Sequence, residues 1–454
     1  MLALSLALAL QVNGRPLFGQ PLPKADPPSA PQPADDEWHL KGDHFGQRVL
    51  AFGDVDSDQI PDLAVSDFAR DDRENGPGCV WIFSGKERAL ITRLDGEKQP
   101  GKASARFGWA LTAPGDLDGD GVPDLIVAAR GGSARVREWE LGRTGYARVY
   151  SGKTWKILSS FHAEGPMDGF GASVAVLGDL DGDHVPEIAV GADGSYYQLR
   201  ENSSEYPECY VRLYSGKTGQ LLRVLVGTSR DGLYGSSLCG LSDIDGDGVP
   251  DLAIGEPAGE GSGSYGRGCV HLVSGKSGED IEVLKGRSSG QLNGRAEFGC
   301  ALANLGDVDA DGVGDFAVGC ADCYVRIYSG KDRSVIGDVD TPVRGMFASG
   351  FADNLASLGD VDGDGVCDLA VGAEKTSFAG ELYDVCVVSG KTRSRLLTRD
   401  LGEWYGRVGQ GGNLRGDGGT YLLVGLWQQD RVELVPIGKD APTLQLERPA
   451  KATR

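Results

Sequence analysis

Short apolar runs rich in β-branched residues, each bounded by glycine or aspartate, succeed one another along most of this chain. No stretch sustains a 3.6-residue apolar period with helix caps, so the pattern predicts strands throughout. Within residues 171–227, GASVAVLGD, PEIAVGA, YVRLYSG and QLLRVLVG read as four successive strands, A to D. Small residues such as Ala172 and Ser173 in the first of them suit the most crowded position of a sheet.

The same pattern recurs. GDVDSDQIPDLAV starts at Gly53, GDLDGDGVPDLIV at Gly115, GDLDGDHVPEIAV at Gly178, SDIDGDGVPDLAI at Ser242, GDVDADGVGDFAV at Gly306 and GDVDGDGVCDLAV at Gly359. A decayed seventh copy, GNLRGDGGTYLLV, starts at Gly412. Successive copies lie 62, 63, 64, 64, 53 and 53 residues apart. Nine residues ahead of the first loop aspartate stands an aromatic, usually followed by glycine, as in Phe45-Gly46, Phe107-Gly108, Phe170-Gly171, Tyr234-Gly235 and Phe298-Gly299. The sixth copy has Phe351-Ala352, and the seventh Tyr405-Gly406 with one residue deleted. Downstream, a Ser-Gly-Lys turn closes the C–D hairpin in six copies. Seven repeats of four short strands predict an all-β, seven-bladed β-propeller, an architecture that leaves only short, protected edges.

These in-phase motifs resemble the FG-GAP repeats of the integrin α-subunit N-terminal propellers over about residues 45–439. The resemblance implies calcium in the A–B hairpins and adhesion or protein recognition on the opposite face.

The loop residues support the calcium part independently. Calcium takes six to eight oxygen ligands. Loop positions 1, 3, 5 and 9 are Asp54, Asp56, Asp58 and Asp62 in the first repeat, and Asp116, Asp118, Asp120 and Asp124 in the second. They are Asp179, Asp181, Asp183 and Glu187 in the third, and Asp243, Asp245, Asp247 and Asp251 in the fourth. The fifth supplies Asp307, Asp309, Asp311 and Asp315, and the sixth Asp360, Asp362, Asp364 and Asp368. A carbonyl at position 7, such as that of Val122, completes the ring. An EF-hand needs glutamate at position 12 and flanking helices. Here position 12 is Val65, Val127, Val190, Ile254, Val318 or Val371, on an emerging strand. Magnesium suits such a cage less, because it dehydrates reluctantly. About six calcium ions are expected. Loops two, four and six should bind tightest, loops one and three more weakly, and loop seven not at all, since it has Asn413, Arg415 and Tyr421 at loop positions 1, 3 and 9.

Charge and composition then fit. The formal charge of −21 argues against nucleic acid as a partner. Six divalent cations would bring it to about −9, so most of the acidity belongs to the loops. Met1–Leu10 is too short to span a bilayer and resembles the apolar core of a secretory signal, which assigns residues 1–15 to a signal peptide. Residues 16–36 form a Pro-rich linker, 37–447 the propeller and 448–454 a tail. Glu37–Leu40 sits where an outermost strand preceding Phe45 would sit, so both chain ends are expected at one blade. The nine cysteines are an odd number and read as buried structural thiols.

Other motifs carry less. The Ser-Gly-Lys segments lack the upstream glycine of a phosphate-binding loop. Arg415-Gly416-Asp417 falls inside the decayed loop. No convergent catalytic group is evident, and the reading is a secreted or cell-surface recognition propeller, not an enzyme. The alternative is a calcium-dependent propeller enzyme or accessory domain, such as a polysaccharide lyase. The B–C connections of repeats two to four are long and carry Trp139, Tyr146, Tyr196, Tyr197, Tyr206 and Tyr265, which would form an aromatic patch for a protein or matrix ligand.

Overall fold

The structure is a computed structural model. It describes residues 11–12, 15–16, 45–68, 77–97, 105–131, 144–163, 168–194, 208–229, 232–259, 267–287, 297–321, 324–340, 352, 354–372, 385–399, 407–414, 419–426, 429–437 and 443–449. The chain divides into two units, Met1–Lys41 and Gly42–Arg454. In the first, Gln11–Val12 pairs antiparallel with Arg15–Pro16.

The second unit is seven four-stranded antiparallel sheets, with no α-helix among the described residues. Each sheet is one repeat, its strands A to D adjacent in chain order. The A strands are Phe45–Gly53, Phe107–Gly115, Phe170–Val176, Ser237–Gly240, Phe298–Gly306, Asn354–Gly359 and Arg407–Gly412. Each packs against the A strand of the next blade, and the seventh packs against the first. This closed ring is the seven-bladed propeller the repeats predict.

Burial follows position in the blade. The B strands of blades one to six, for example Asp62–Asp67 and Asp124–Ala129, are buried at every residue, which explains their near-continuous apolar sequence. The outermost strands are largely exposed and turn one large residue inward: Leu94, Phe161, Leu225, Leu284, Val339 and Leu446 each join a core cluster. Among the described residues there are seven such clusters, one in each of the seven blade-to-blade interfaces. The repeated aromatics Phe45, Phe107, Phe170 and Phe298 are fully buried there. Glycine lets the blades meet: a Cβ on Gly255 would lie 2.1 Å from the Gly299 carbonyl oxygen. Ser237 Oγ donates to that same oxygen at 2.7 Å, and Ser173 Oγ donates to the Gly235 carbonyl at 2.6 Å.

Of the eight described cysteines, six are buried and two half-buried; Cys323 lies outside the described residues.

The ring closes with C-terminal sequence. Blade seven consists of Arg407–Gly412, Thr420–Leu426, Arg431–Ile437 and Leu444–Glu447. Glu37–Leu40 lies outside the described residues. Blade seven joins blade one through a cluster that includes Phe45, Leu63, Tyr421 and Leu434. The Phe45 N–H donates to Asp430 Oδ1 at 3.3 Å, and Arg448 pairs with buried Asp67 at 2.7 Å. Removing residues 443–454 should therefore destabilise the ring by at least about 2 kcal/mol, from the lost burial of Leu446 alone. Thermal denaturation of this truncation checks it, and an unchanged midpoint would contradict closure by the C-terminal strand.

Candidate metal-binding loops

Each loop folds around its own carboxylates. In loop two, Asp116 Oδ1 accepts the N–H groups of Gly119 and Asp120 at 2.8 and 3.1 Å, and its Oδ2 accepts that of Gly121 at 2.8 Å. Asp118 Oδ1 accepts from Asp120 N–H, and Asp120 Oδ1 from Val122 N–H. Loops three, four and six repeat this frame around Asp179, Asp243 and Asp360. Loops one and five repeat most of it around Asp54 and Asp307.

The winding needs left-handed backbone at positions 4 and 6. Gly119, Gly121, Gly246, Gly248, Gly363 and Gly365 supply it without strain. Ser57, Gln59, His184 and Ala310 hold the same conformation at φ of 68°, 71°, 66° and 64°. That conformation is uncommon for a residue with a Cβ.

Position 9 is different in kind. Asp62, Asp124, Glu187, Asp251, Asp315 and Asp368 are completely buried. One oxygen accepts the N–H of loop position 2, at 2.7 Å for Asp251 from Ile244 and 2.8 Å for Asp124 from Leu117. The other accepts the glycine N–H of the Ser-Gly-Lys turn: Gly85, Gly152, Gly275, Gly330 and Gly390 donate at 2.9 to 3.0 Å. One carboxylate thus pins the A–B loop to the C–D turn. The turn answers with its lysine: Lys153, Lys217, Lys276, Lys331 and Lys391 donate from Nζ to the position-5 carbonyl at 2.9 to 3.4 Å. Both turns therefore lie on one face, as strand parity predicts.

Loop three breaks the pin. Glu187 Oε2 accepts from Leu180 N–H at 2.5 Å, but its buried Oε1 has no hydrogen-bond partner. A buried acceptor without a donor is costly.

Protonation follows burial. Burial pushes the Asp62 carboxyl up to about 6 and Glu187 up to about 7, and it raises Asp124, Asp251, Asp315 and Asp368. At the rim, backbone N–H donors, foremost Gly121 and Gly365, hold Asp116 and Asp360 below the ordinary carboxylate range. At Asp179 and Asp243 burial opposes ionisation, but the hydrogen bonds outweigh it and the pKa is lowered.

The carboxylates converge. Ligand-capable oxygens lie within 4.8 Å of one another for Asp54, Asp56 and Asp58, for Asp116, Asp118 and Asp124, and for Asp243, Asp245 and Asp251. In loop three all four acidic residues, Asp179, Asp181, Asp183 and Glu187, meet this condition. In loop seven Asn413 is exposed and Arg415–Asp417 lie outside the described residues. Tyr421, at its position 9, is buried in the blade seven–one core instead.

The expected aromatic patch is corrected at one residue. Tyr146 is 2% exposed, stacks on Phe107 and accepts the Glu97 N–H at 3.0 Å through its hydroxyl. Trp139, Tyr196, Tyr197, Tyr206 and Tyr265 lie outside the described residues. Tyr146 belongs to a series that the sequence frame contains: Tyr146/Arg148, Tyr210/Arg212 and Tyr324/Arg326 each stack guanidinium on ring at 4.9 to 5.0 Å. On strand A of blade two, Trp109 faces three guanidinium groups, Arg48 at 5.9 Å, Arg106 at 5.7 Å and Arg130 at 4.8 Å. Arg48 and Trp109 sit at the A-strand starts, the end away from the acidic loops.

Fold and loops together define a seven-bladed β-propeller with acidic A–B hairpins. The FG-GAP-like repeat family matches residues 116–190, and the FG-GAP repeat family matches residues 234–268. Parts of the chain are similar to integrin alpha chains. It is 32% identical to integrin alpha-4 of Xenopus laevis over 36% of this chain and 37% identical to integrin alpha-7 of Homo sapiens over 41%. It is 27% identical to integrin alpha-V of Gallus gallus over 56%. These matches span 16%, 15% and 26% of the relatives' own lengths. Among solved structures, a chain of the crystal structure of BBS1N in complex with ARL6DN aligns over 88% of this chain and 99% of its own, with a TM-score of 0.50 and 11% identity. The rhamnogalacturonan lyase YesW aligns over 87% and 75%, with a TM-score of 0.45 and 16% identity. Likeness at these identities is one of fold.

Glu187 gives the loops a direct test. In excess chelator at pH 8, above the raised Glu187 pKa of about 7, Glu187→Gln should stabilise the protein, because it replaces a buried carboxylate charge with a neutral group. With calcium present the same variant should destabilise it. Thermal midpoints in the two buffers check this, and an effect of one sign in both would contradict a cation at loop three.

Proposed function

We propose that this chain is a calcium-loaded recognition propeller that acts outside the cell, with the metals structural and the ligand bound on the opposite face. The observation that carries this reading is the repeated loop frame. Asp54, Asp116, Asp179, Asp243, Asp307 and Asp360 hold six loops in one conformation, each with a buried carboxylate at position 9, and acidic oxygens converge in loops one to four. Hard carboxylate and carbonyl oxygens in a flexible cage suit calcium. The metal would neutralise each cluster and satisfy the partnerless oxygen of Glu187.

The similarity to integrin alpha chains supports a protein or matrix ligand and an extracellular setting, reached through the apolar leader at Met1–Leu10. A rigid ring stiffened on one face presents the B–C and D–A connections on the other, where recognition residues sit on loops held by a scaffold. The long connections of blades two to four, with Trp139, Tyr196, Tyr197, Tyr206 and Tyr265, would supply aromatic anchors of the type that dominate interfaces, and the Trp109 cluster adds arginine.

Surface plasmon resonance against a panel of purified matrix glycoproteins, in calcium and in chelator, tests the reading alongside thermal melts. Each site held at a hundredfold its dissociation constant adds about 2.7 kcal/mol, so chelation should lower the midpoint far more than a surface substitution does. Binding should need calcium and should fall at least about tenfold in Trp139→Ala and Tyr197→Ala, the loss of about 1.4 kcal/mol expected of an anchor. Capture that is indifferent to both variants would remove the aromatic face, and an unchanged midpoint in chelator would remove the structural metals.

A further inference from the structure

We propose that blade four carries a second kind of metal site, for zinc or a similar late transition ion, formed by Glu256, Cys269 and His271 and oriented by Asp280. It lies away from the acidic loops, at the opposite end of the B and C strands. Glu256 ends strand B (Leu252–Glu256) and is the register partner of Cys269, which opens strand C (Cys269–Val273). His271, two residues on, points to the same side of the sheet.

The donor atoms already converge. Cys269 Sγ lies 3.3 Å from Glu256 Oε2 and 3.8 Å from His271 Nε2, and Nε2 lies 2.9 Å from Oε2. An ion with tetrahedral bonds of about 2.3 Å to sulfur and 2.0–2.1 Å to nitrogen or oxygen separates its ligand atoms by roughly 3.3–3.6 Å. A shift of a few tenths of an ångström in the carboxylate would admit it. All three side chains are nearly inaccessible, with Glu256 at 2%, Cys269 at 3% and His271 at 6%. Independently, Glu256 Oε1 is buried with no hydrogen-bond partner, so the carboxylate holds an unused donor oxygen at the cluster. Gly232 and Gly259 make room for it: a Cβ on Gly232 would lie 1.8 Å from Oε1, and one on Gly259 2.8 Å from Cys269 Sγ.

The outer shell fits as well. His271 Nδ1 bonds Asp280 Oδ2 at 3.0 Å, the carboxylate–imidazole contact that fixes a metal-ligating tautomer with Nε2 free for the ion. The Tyr234 ring packs edge-on at 5.1 Å. Mixed sulfur, nitrogen and oxygen donors favour zinc over calcium or magnesium.

The other blades show what the position holds otherwise. Tyr146, Tyr210 and Tyr324 stand where Cys269 does, Arg148, Arg212 and Arg326 stand where His271 does, and Ala129, Ala192 and Cys320 take the place of Glu256. Blade four changes all three together. Blade one places Asp67 beside Cys79, but there Arg448 neutralises the carboxylate. Without metal, His271 sits between two carboxylates, Nδ1 3.0 Å from Asp280 Oδ2 and Nε2 2.9 Å from Glu256 Oε2.

Cobalt titration of protein kept in excess calcium tests the site, the calcium occupying the acidic loops. The expected result is one equivalent of cobalt with a thiolate-to-cobalt charge-transfer band, displaced by one equivalent of zinc. Cys269→Ser and His271→Arg should abolish the band. The arginine variant restores the side chain of blades two, three and five, so its fold is protected, and an unchanged thermal midpoint in calcium verifies that. Asp280→Asn should weaken zinc binding about 10–100-fold. Absence of the band in the parent protein, or its persistence in both ligand variants, would overturn the site and leave His271 as an ionic stand-in for arginine. Neither result bears on the calcium loops.

Discussion

The structure depends on a carboxylate buried at the ninth position of each acidic loop. Asp62, Asp124, Asp251, Asp315 and Asp368 each take one backbone N–H from the start of the A–B loop and one from the glycine of the C–D turn. A neutral side chain of similar size would leave one or both donors unanswered in a place that excludes water, at about 1–3 kcal/mol each. The same burial raises the pKa of each carboxyl, and three further acidic residues crowd each loop. The pin that joins two turns is thus also the reason the loop calls for a cation. Structure and metal demand arise from one residue.

From that pin the ring follows. With both turns of a blade fixed, strands B and C form a buried layer whose two faces meet the neighbouring blades. The seven resulting clusters are separate, so stability is distributed and each interface depends on its two blades. Closure needs the least regular pair, blades seven and one. There the loop pin is lost, and Tyr421 fills the core in the place of a carboxylate. Asp430 and the Arg448–Asp67 pair tie the ends instead.

Most of the fold was legible because its signals are local and repeat in phase. An aspartate every second residue, glycine at two left-handed positions and Ser-Gly-Lys at a fixed distance each report short-range geometry. What escaped depends on registers across strands. Lysine Nζ reaching the position-5 carbonyl joins residues about thirty apart in most blades. Tyr146 read as a surface aromatic because it follows a long connection; its phase with Tyr210 and Tyr324 shows it to be a core residue. The Glu256, Cys269 and His271 cluster is split by 12 intervening residues between its first two members, and only the strand pairing unites it. Closure by the C-terminal strand was ambiguous because Leu444–Glu447 is four residues long and carries little pattern.

The central claim is that the acidic loops are loaded cation sites and not bare turns. Native mass spectrometry of the purified chain, titrated with calcium after chelation, measures this directly. The account predicts close to six calcium ions per chain, with Asp118→Ala and Asp245→Ala each removing one. A calcium content near zero at saturating concentration, or the same count in both variants as in the parent, would contradict it.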